Sequence, residues 1–363
     1  MANGPDVVGA DYGGVMDIKD IPAAIEWQAE HAARAGATGT ARILRGLLAV
    51  LDTDTAVRRR MTQWEELTLQ DAMPLRIHGG LHHLLLSGKD RRLEPVYAGL
   101  KVDQKQIDNL VSDLVRTYDR RLLPWLDGPP QTNEAGRSWA FMAALFWLSE
   151  RVGSRFALHE IGASAGVNTM MDRYRFDLGG VMAGPHDAMI RIDPEWRGPP
   201  PPDAPVSILS TRGCDRSPID LTDPAAALRL KSYVWPEAAA RMARIEAAAR
   251  LAQKQAPDLV KQDAAAFVHD MLGTKPEEGV ARVLCHSIVW QYLPEDTRAS
   301  IRRDMELAGE AATEDTPLAW VSLETDRKTF AHELHVRYWP GGGATVKLGC
   351  GHPHGAWAEW FGV

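Results

Sequence analysis

Apolar residues recur at helical spacing through the first part of the chain. Between residues 21 and 151 this pattern predicts helices almost throughout, and the clearest segments span residues 21–36, 40–52 and 106–123. Pro22 stands near the start of the first segment, Gly36 stands at its end, and Pro124 directly follows the last segment. These positions are typical of helix boundaries. The sequence therefore predicts an all-helical N-terminal domain over residues 1–152.

The pattern changes after residue 151, where short apolar runs alternate with helical stretches. Such alternation indicates an α/β domain with a mostly parallel sheet. The predicted strands cover residues 155–161, 206–214, 259–262, 280–286 and 318–324, followed by an antiparallel hairpin at 333–339 and 344–349. The predicted helices cover residues 165–173, 236–255, 264–272 and 295–309. This domain, over residues 153–363, carries an irregular insertion at about 177–205, with a strand predicted at 188–193.

Composition limits the classes of protein that fit. A chain of 363 residues with 45% hydrophobic and 25% charged residues is long enough for two globular domains. The net charge of -7 argues against a general nucleic-acid binder, which needs clustered Lys and Arg. We find no N-terminal targeting pattern and no apolar run long enough to span a bilayer, so we expect a cytoplasmic protein with no membrane partner. Three cysteines without C-x-x-C spacing fit a reducing compartment.

The turn after the first predicted strand carries most of the functional information. Glu160 stands near the end of that strand, and residues 162–166 read Gly-Ala-Ser-Ala-Gly. One interpretation is a glycine loop that brings the main-chain amides of a helix start close to an anionic or polar cofactor. The other is a G-x-S-x-G nucleophile elbow, in which Ser164 attacks a substrate. Several strands precede the elbow in such hydrolases, whereas here the preceding half is helical, so the strand order favours the cofactor loop.

The ends of three further strands carry polar or aromatic side chains. Asp215 and Asp263 end the second and third predicted strands, where an aspartate either contacts a ligand or caps the next helix. His286 ends the fourth strand and is followed by Trp290 and Tyr292. These three side chains predict one wall of a substrate pocket, with an imidazole as base. The structural alternative is a histidine that anchors a turn, with both aromatic rings in the core.

Two other segments supply candidate site residues. His352 and His354 follow the last predicted strand, in a segment that we interpret as a loop closing over the pocket, and with Cys285, His286 and Cys350 they also offer zinc ligands if the fold brings them together. Thr132, Asn133 and Glu134 predict a helix cap. A cation at a helix start is electrostatically unfavourable, so Arg137 suggests contact with an acidic substrate or an ion pair. Asn133, Glu134, Arg137 and Trp290 are the candidate substrate-binding residues.

Longer motifs, distributed over nearly the whole chain, resemble one bacterial family. The motifs are Gln131-Thr-Asn-Glu-x-Gly-Arg137, Glu160-Ile-Gly-Ala-Ser-Ala-Gly-Val-Asn168 with Asp172-Arg-Tyr174, Arg212-Gly-Cys-Asp215-x-x-Pro218-Ile-Asp220, Val234-Trp-Pro236 with Arg241, and His286-Ser-x-Val-Trp-Gln-Tyr-Leu293. Together they resemble the uncharacterised family called DUF2332. The segment from Gly351 to Gly355 departs from the simpler His-Gly pattern of that family.

The resemblance implies a Rossmann-like sheet of the methyltransferase type with S-adenosylmethionine as cofactor. On this interpretation Glu160 and the loop surround the amino-acid part of the cofactor, Asp215 takes the ribose hydroxyls and Asp263 meets the adenine amino group. The cofactor-binding residues in the loop are Gly162, Ala163, Ser164, Gly166 and Asn168. The candidate catalytic residues are His286, Tyr292, His352 and His354.

We therefore expect a methyltransferase-like enzyme that acts on an unidentified small molecule. One alternative is a serine hydrolase with Ser164 as nucleophile, His352 or His354 as base, and Asp263 or Glu324 as the group that orients the base. The other is a non-catalytic protein that uses a Rossmann scaffold for binding, because fold alone does not decide function.

Overall fold

A computed structural model describes residues 20–68, 71–128, 130–131 and 133–362. The chain forms two compact units, one of residues up to 132 together with 228–242, the other of residues 133–227 together with 243–363. This division differs from the predicted domains 1–152 and 153–363, since the helix at 138–152 belongs to the second unit and the segment 228–242 to the first. The predicted lack of a targeting segment concerns residues 1–19, which lie outside the described residues.

The first unit is helical throughout its described residues, as the apolar spacing predicts. Its helices are α1 (Ile21–Arg34), α2 (Thr38–Gly46), α3 (Ala56–Thr62), α4 (Met73–Leu86), α5 (Glu94–Tyr97) and α6 (Gln104–Leu122), with 3-10 helices at Leu47–Asp52 and Leu123–Asp127. Asp20 and Asp103 cap α1 and α6, each accepting a hydrogen bond of 2.8 Å from a main-chain N–H in the first turn. One face of each long helix packs into a common core that includes Ile25, Leu44 and Ile77.

The segment 228–242 completes this helical unit through polar contacts that are remote in sequence. Glu237 accepts hydrogen bonds from the main-chain N–H and from the hydroxyl of Thr40, both at 2.8 Å. The main-chain carbonyl of Ser232 lies 3.0 Å from His82 Nδ1. Because the second hydrogen-bond partner stands about 150 or more positions away in each pair, the local apolar pattern cannot reveal them.

Two buried histidines of α4 make the helical unit sensitive to acid. Burial lowers the pKa of His78 to about 3 and that of His82 to about 4. Both side chains are therefore neutral in the folded protein at pH 5, whereas histidines of the unfolded chain, with pKa near 6.5, are protonated. The unfolded state then binds more protons, so stability is complete above pH 6.5 and is lost as the pH falls towards the folded-state values.

Through the burial of each of these histidines, we expect the free energy of unfolding to be about 2 kcal/mol lower at pH 5 than at pH 7.5. Urea unfolding at the two pH values, in the wild type and in the His78→Gln, His82→Gln double variant, measures this difference. From pH 7.5 to pH 5, the free energy of unfolding of the double variant should fall by about 4 kcal/mol less than that of the wild type. An exposed-residue variant, His186→Gln, is the control, and an equal loss in all three proteins would contradict the prediction.

The second unit is built on a nine-stranded sheet, ordered β5-β12-β11-β10-β9-β8-β1-β6-β7. The strands are β1 (Arg155–Ile161), β5 (Glu195–Arg197), β6 (Ser207–Asp215), β7 (Leu259–Lys261), β8 (Ala281–Ser287), β9 (Leu318–Thr325), β10 (His332–Trp339), β11 (Val346–Gly351) and β12 (Trp357–Trp360). Strands β7, β6, β1, β8 and β9 are parallel, and β10, β11 and β12 continue the sheet in antiparallel fashion. The predicted mixed α/β class with a mostly parallel sheet is confirmed.

Three α-helices lie wholly within the second unit: α7 (Ser138–Val152), α10 (Ala264–Gly273) and α11 (Glu295–Glu310). Two others, α8 (Pro224–Ser232) and α9 (Ala239–Lys254), contain residues of both units. Core residues under α10 and α11 include Ile161, Leu284 and Trp320. Among the described residues no helix combines the length and the apolar character that crossing a membrane requires. The cytoplasmic location stays a prediction.

The insertion after β1 differs from its prediction. The helix expected at 165–173 is wrong, because the chain forms a 3-10 helix at Asn168–Arg173 and enters a strand directly afterwards. That strand, β2 (Arg175–Leu178), lies between β3 (Val181–Ala183) and β4 (Arg191–Ile192) in a small second sheet. The predicted strand at 188–193 shortens to β4, and β5 leaves the insertion to pair with β12.

Candidate functional site

The strand order creates a place where ligands bind in sheets of this kind. The chain moves from β1 to β6 and then to β7 towards one side of the sheet, and then returns to β8 on the other side of β1. Between β1 and β8 the connections therefore diverge, and in open α/β sheets ligands bind at such a position, outside the carboxyl ends of the strands. We call the edge where β1, β6, β8 and β9 end the carboxyl edge. Most of the candidate residues from the sequence lie along it.

The backbone of the glycine loop is left-handed at three positions, which costs little at the two glycines and is disfavoured at Ser164. Gly162, Ser164 and Gly166 have positive φ angles of 66°, 53° and 70°. A methyl group added at Gly162 would overlap the side chain of Val289, and one at Gly166 would lie 2.9 Å from Pro257. The glycines therefore admit neighbouring side chains at these points. Ala163, buried between them, donates its N–H to the carbonyl of Cys214 at 2.9 Å.

The loop leads into a 3-10 helix and not into the predicted α-helix, while the cofactor-loop and nucleophile-elbow interpretations stay predictions. A dipole at a helix start, expected to attract an anionic ligand, is not available from a 3-10 helix of six residues. A nucleophile elbow likewise needs a strand, a turn and a helix in succession. The main-chain N–H of Val167 is instead taken by the side-chain oxygen of Asn133 at 2.7 Å, and its carbonyl accepts from the hydroxyl of Tyr174.

Asp215 holds the loop against the end of β6. Its Oδ2 accepts a hydrogen bond from the N–H of Ser164 at 2.9 Å, and its Oδ1 accepts from the N–H of Ser217 at 2.8 Å. The carbonyl of Ser164 accepts from the N–H of Ile219 at 3.1 Å. The carboxyl ends of β1 and β6 are thus joined through one carboxylate.

Glu160 is a buried carboxyl group whose hydrogen bonding is incomplete. Its side chain is 3% exposed, and its Oε1 accepts from Asn168 Nδ2 at 3.1 Å. Neither Glu160 Oε2 nor Asn168 Oδ1 has a hydrogen-bond partner among the described residues, and both side chains line a void of about 10 Å³. Burial raises the pKa of Glu160 to about 7, although the Asn168 bond and the charge of Arg137 act in the opposite direction. Such a carboxyl group changes its charge near neutral pH.

The segment before α7 lies beside the glycine loop. Asn133 binds the loop through Val167 and does not cap its own helix, while the predicted cap at Thr132 lies outside the described residues. The buried Glu134 pairs with Arg244 at 2.8 Å and accepts from the N–H of Gly136 at 3.0 Å. Arg137 is 6% exposed and donates from Nε to the carbonyl of Pro353 at 2.9 Å. The carboxylate of Glu134 therefore serves an ion pair and also caps the 3-10 helix Ala135–Arg137, as the sequence predicts.

The C-terminal histidines lie against the same segment. His352 Nδ1 accepts from the N–H of His354 at 3.1 Å, and the carbonyl of His354 accepts from Arg244 at 3.2 Å. His332, at the start of β10, also belongs here, with its Nδ1 at 2.9 Å from the hydroxyl of Thr325. Burial, Arg137 and His352 together lower the pKa of His332 to about 4. The sequence analysis missed His332, because its strand was predicted to begin one residue later.

His286 forms a second polar cluster under α10 and α11. Its Nδ1 lies 2.6 Å from Glu324 Oε1 and its Nε2 accepts from the indole N–H of Trp320 at 2.9 Å. Nδ1 therefore carries the proton, and both ring nitrogens are engaged. The ring stacks on Trp290 at 5.1 Å. Glu324 also accepts from the N–H groups of Val289 and Trp290, so the cluster fixes the loop that packs on Gly162.

Four remaining candidates show different surroundings. Tyr292 is 58% exposed, and its pKa is raised by burial of part of the ring, with Arg137 acting against the shift. Asp263 is exposed and caps α10 through the N–H of Ala265 at 2.9 Å. The free Cys285 donates to the carbonyl of His159, while Cys350 contacts Glu359. Within the described ranges, no three His, Cys, Asp or Glu side chains converge as metal ligands.

Comparison with known proteins gives a family and no activity. A family model described as "Uncharacterized protein conserved in bacteria (DUF2332)" matches residues 22–360, which confirms the resemblance inferred from the motifs. No curated protein and no solved structure matches the chain.

Proposed function

The chain belongs to the DUF2332 family, and we propose that it is an S-adenosylmethionine-binding, methyltransferase-like protein that acts on a small molecule. The observation that carries the proposal is the pair of carboxyl groups at the carboxyl edge. Glu160 is the last residue but one of β1, Asp215 is the last residue of β6, and Asp215 binds the loop 162–166 through Ser164. In doubly wound sheets, cofactors with a ribose bind at this crevice, and an acid at the end of the second strand takes ribose hydroxyls.

Glu160 suits the amino-acid end of the cofactor because its Oε2 lacks a partner among the described residues. An ammonium group beside it would supply a hydrogen bond and a charge that favours the ionised carboxylate. Both oxygens of Asp215 already accept one main-chain N–H. Each carboxylate oxygen has a second lone pair, so Asp215 can still accept hydrogen bonds from ribose hydroxyls.

When bound, S-adenosylmethionine supplies an electrophilic methyl group, and the protein's task is to orient an acceptor and exclude water. Arg137 and Tyr292 are the candidate acceptor contacts, and His352 and His354 stay candidates for proton transfer. In this proposal His286 is a positioning residue, since both of its ring nitrogens are engaged by Glu324 and Trp320. It holds Trp290 and the loop before Tyr292.

Calorimetric titration with S-adenosylmethionine and S-adenosylhomocysteine tests the proposal, with NAD as a control ligand. We expect micromolar binding of the first two, weakened at least about tenfold by Glu160→Gln or Asp215→Asn. Asp220→Asn is the matched control, because Asp220 also accepts a main-chain N–H two residues on but lies in the turn beyond the site. Circular dichroism verifies that each variant is folded.

If the folded wild type binds neither S-adenosylmethionine nor S-adenosylhomocysteine, the proposal is overturned. A fluorophosphonate probe would then test the hydrolase alternative through labelling of Ser164, with Ser164→Ala as control. Binding that is unaffected by both site variants would retain the ligand and reject the site assignment.

A further inference from the structure

A groove on the sheet, away from the carboxyl edge, has no role in the proposed methyl transfer. It has a volume of about 500 Å³ and lies between α10 and the first halves of β1 and β6. Cavities of this size are typical of small-molecule sites. Small side chains, Ala157 and Ser210, line the groove beside the larger His159, Arg212 and Arg282.

The register of the strands explains its shape. Ala157 of β1 lies between Ser210 of β6 and Arg282 of β8, so the three form one row across the sheet. The next row contains His159 beside Arg212. With neighbouring strands about 4.8 Å apart, Ser210 and Arg282 stand about 10 Å from each other, with only a methyl group between them. Phe267 and Met271 of α10 supply an apolar wall.

Arg282 is a partly buried cation without an acidic partner among the described residues. Its Nη1 donates to the carbonyls of Met271, Leu272 and Thr274 at 3.1, 3.4 and 3.2 Å, at the end of α10. Its Nε is buried with no hydrogen-bond partner in the described ranges, and no described hydrogen bond uses Nη2. The lowering of its pKa has burial as its only cause. A guanidinium in this state gains from an oxyanion, which it binds through two N–H groups.

The acids that line the groove are engaged elsewhere. Asp258 lies 3.7 Å from Arg212, and Glu277 lies 3.1 Å from Arg155. Asp270 accepts a hydrogen bond from Gln262 at 2.7 Å. Asp258 and Glu277 are thus paired with other arginines, and the charge of Arg282 reaches His159 beside it.

We propose that this groove is a second binding site, which takes a small organic molecule with a carboxylate or phosphate group on Arg282 and an apolar part against Phe267 and Met271. The site lies away from the carboxyl edge and uses none of the candidate methyl-transfer residues. It can therefore bind a ligand whether or not the proposed function holds.

Nuclear magnetic resonance of the arginine Nε–H groups tests the proposal on the full chain. Sodium phosphate and sodium acetate are the probes, and sodium chloride at equal ionic strength is the control. We expect a saturable shift of the Arg282 Nε–H resonance with phosphate, with acetate or with both. The response identifies which oxyanion the guanidinium prefers.

Ser210→Glu places a carboxylate in the groove, in the row of Arg282. This variant should shift the same resonance without added anion and weaken the anion response at least about tenfold. Ser207→Glu is the matched control, because Ser207 is exposed on the same strand and does not line the groove. Ala157→Leu, which fills the space between Ser210 and Arg282, should also remove the response.

No saturable shift with either anion would overturn the proposal. A response that persists in both Ser210→Glu and Ala157→Leu would do the same, since binding would then occur elsewhere. The unfolding temperatures of the variants show whether each is folded under the conditions of the titration.

Discussion

Replacing Glu160 with glutamine should stabilise the free protein at pH 8 by about 3 kcal/mol. The folded-state pKa of about 7 exceeds the ordinary value of 4.5, so the folded protein holds its proton more tightly than the unfolded chain does. The stabilising contribution of the protonated form is complete below pH 4.5 and is lost as the pH rises through 7. Glutamine keeps an oxygen for Asn168 and carries no charge, so the variant avoids this loss. Urea unfolding at pH 8 and pH 4.5 measures the difference, which should vanish at the lower pH.

Glu134→Gln is the matched control for this prediction. Glu134 is equally buried in the same unit, but its carboxylate pairs with Arg244 at 2.8 Å. Removing its charge leaves the partly buried Arg244 without this ion pair and should destabilise the protein by about 3 kcal/mol. If both variants destabilise the protein alike, the carboxyl group of Glu160 serves the fold and not a ligand.

The raised pKa of Glu160 also predicts how cofactor binding depends on pH. A ligand with an ammonium group requires the ionised form, so its affinity should rise about tenfold per pH unit below 7 and level off above it. Binding at pH 7 should release about half a proton. Calorimetry in buffers of different ionisation enthalpy detects that release. A Glu160→Gln variant that keeps the same pH dependence would assign the titration to another group.

Gly162→Ala should destabilise the protein by about 3 kcal/mol, because two costs add. The backbone at residue 162 has a φ of 66°, which alanine adopts with strain, and the new methyl group would overlap Val289. In the Gly162→Ala background, Val289→Ala should remove the overlap between the two side chains and leave the backbone strain. Urea unfolding of both single variants and the double variant gives the coupling, expected at about 1–2 kcal/mol in the rescuing direction.

Gly279→Ala isolates the backbone cost in the same unit. Gly279 has a φ of 71°, and the nearest atom to an added methyl group is the end of a flexible arginine at 3.7 Å. The free energy of unfolding of this variant should be about 1 kcal/mol lower than that of the wild type. If Gly162→Ala and Gly279→Ala lower the free energy of unfolding equally, Val289 moves away from the new methyl group at no cost.

The sequence predicts β1, β8 and β9 well because each is a largely buried, mainly apolar run. It also predicts where a candidate site lies, since side chains that end neighbouring parallel strands must meet at one edge. The helix at 165–173 fails for a physical reason. Asn133 takes the main-chain N–H of Val167 and Tyr174 donates to its carbonyl, so side chains from outside the segment replace a helical hydrogen-bond pattern.

The roles of individual site residues depend on partners that no local pattern reveals. His286 has the position expected of a catalytic base, yet Glu324 and Trp320, which are 38 and 34 residues further along the chain, engage both of its nitrogens. Asp263 ends its strand as a cofactor ligand would, and its side chain caps α10. Sequence position therefore identifies the edge of the sheet, and tertiary contacts decide what each side chain can do there.

The division of the chain into interrupted units constrains how it can be expressed in parts. A fragment that stops at residue 132 lacks Glu237, the acceptor for two hydrogen bonds of Thr40, and lacks Ser232 beside His82. A ribosome likewise completes the helical unit only after it has translated β1 and β6 of the other unit. A soluble helical fragment should therefore be built by joining residues 20–132 to 228–242 through a short linker.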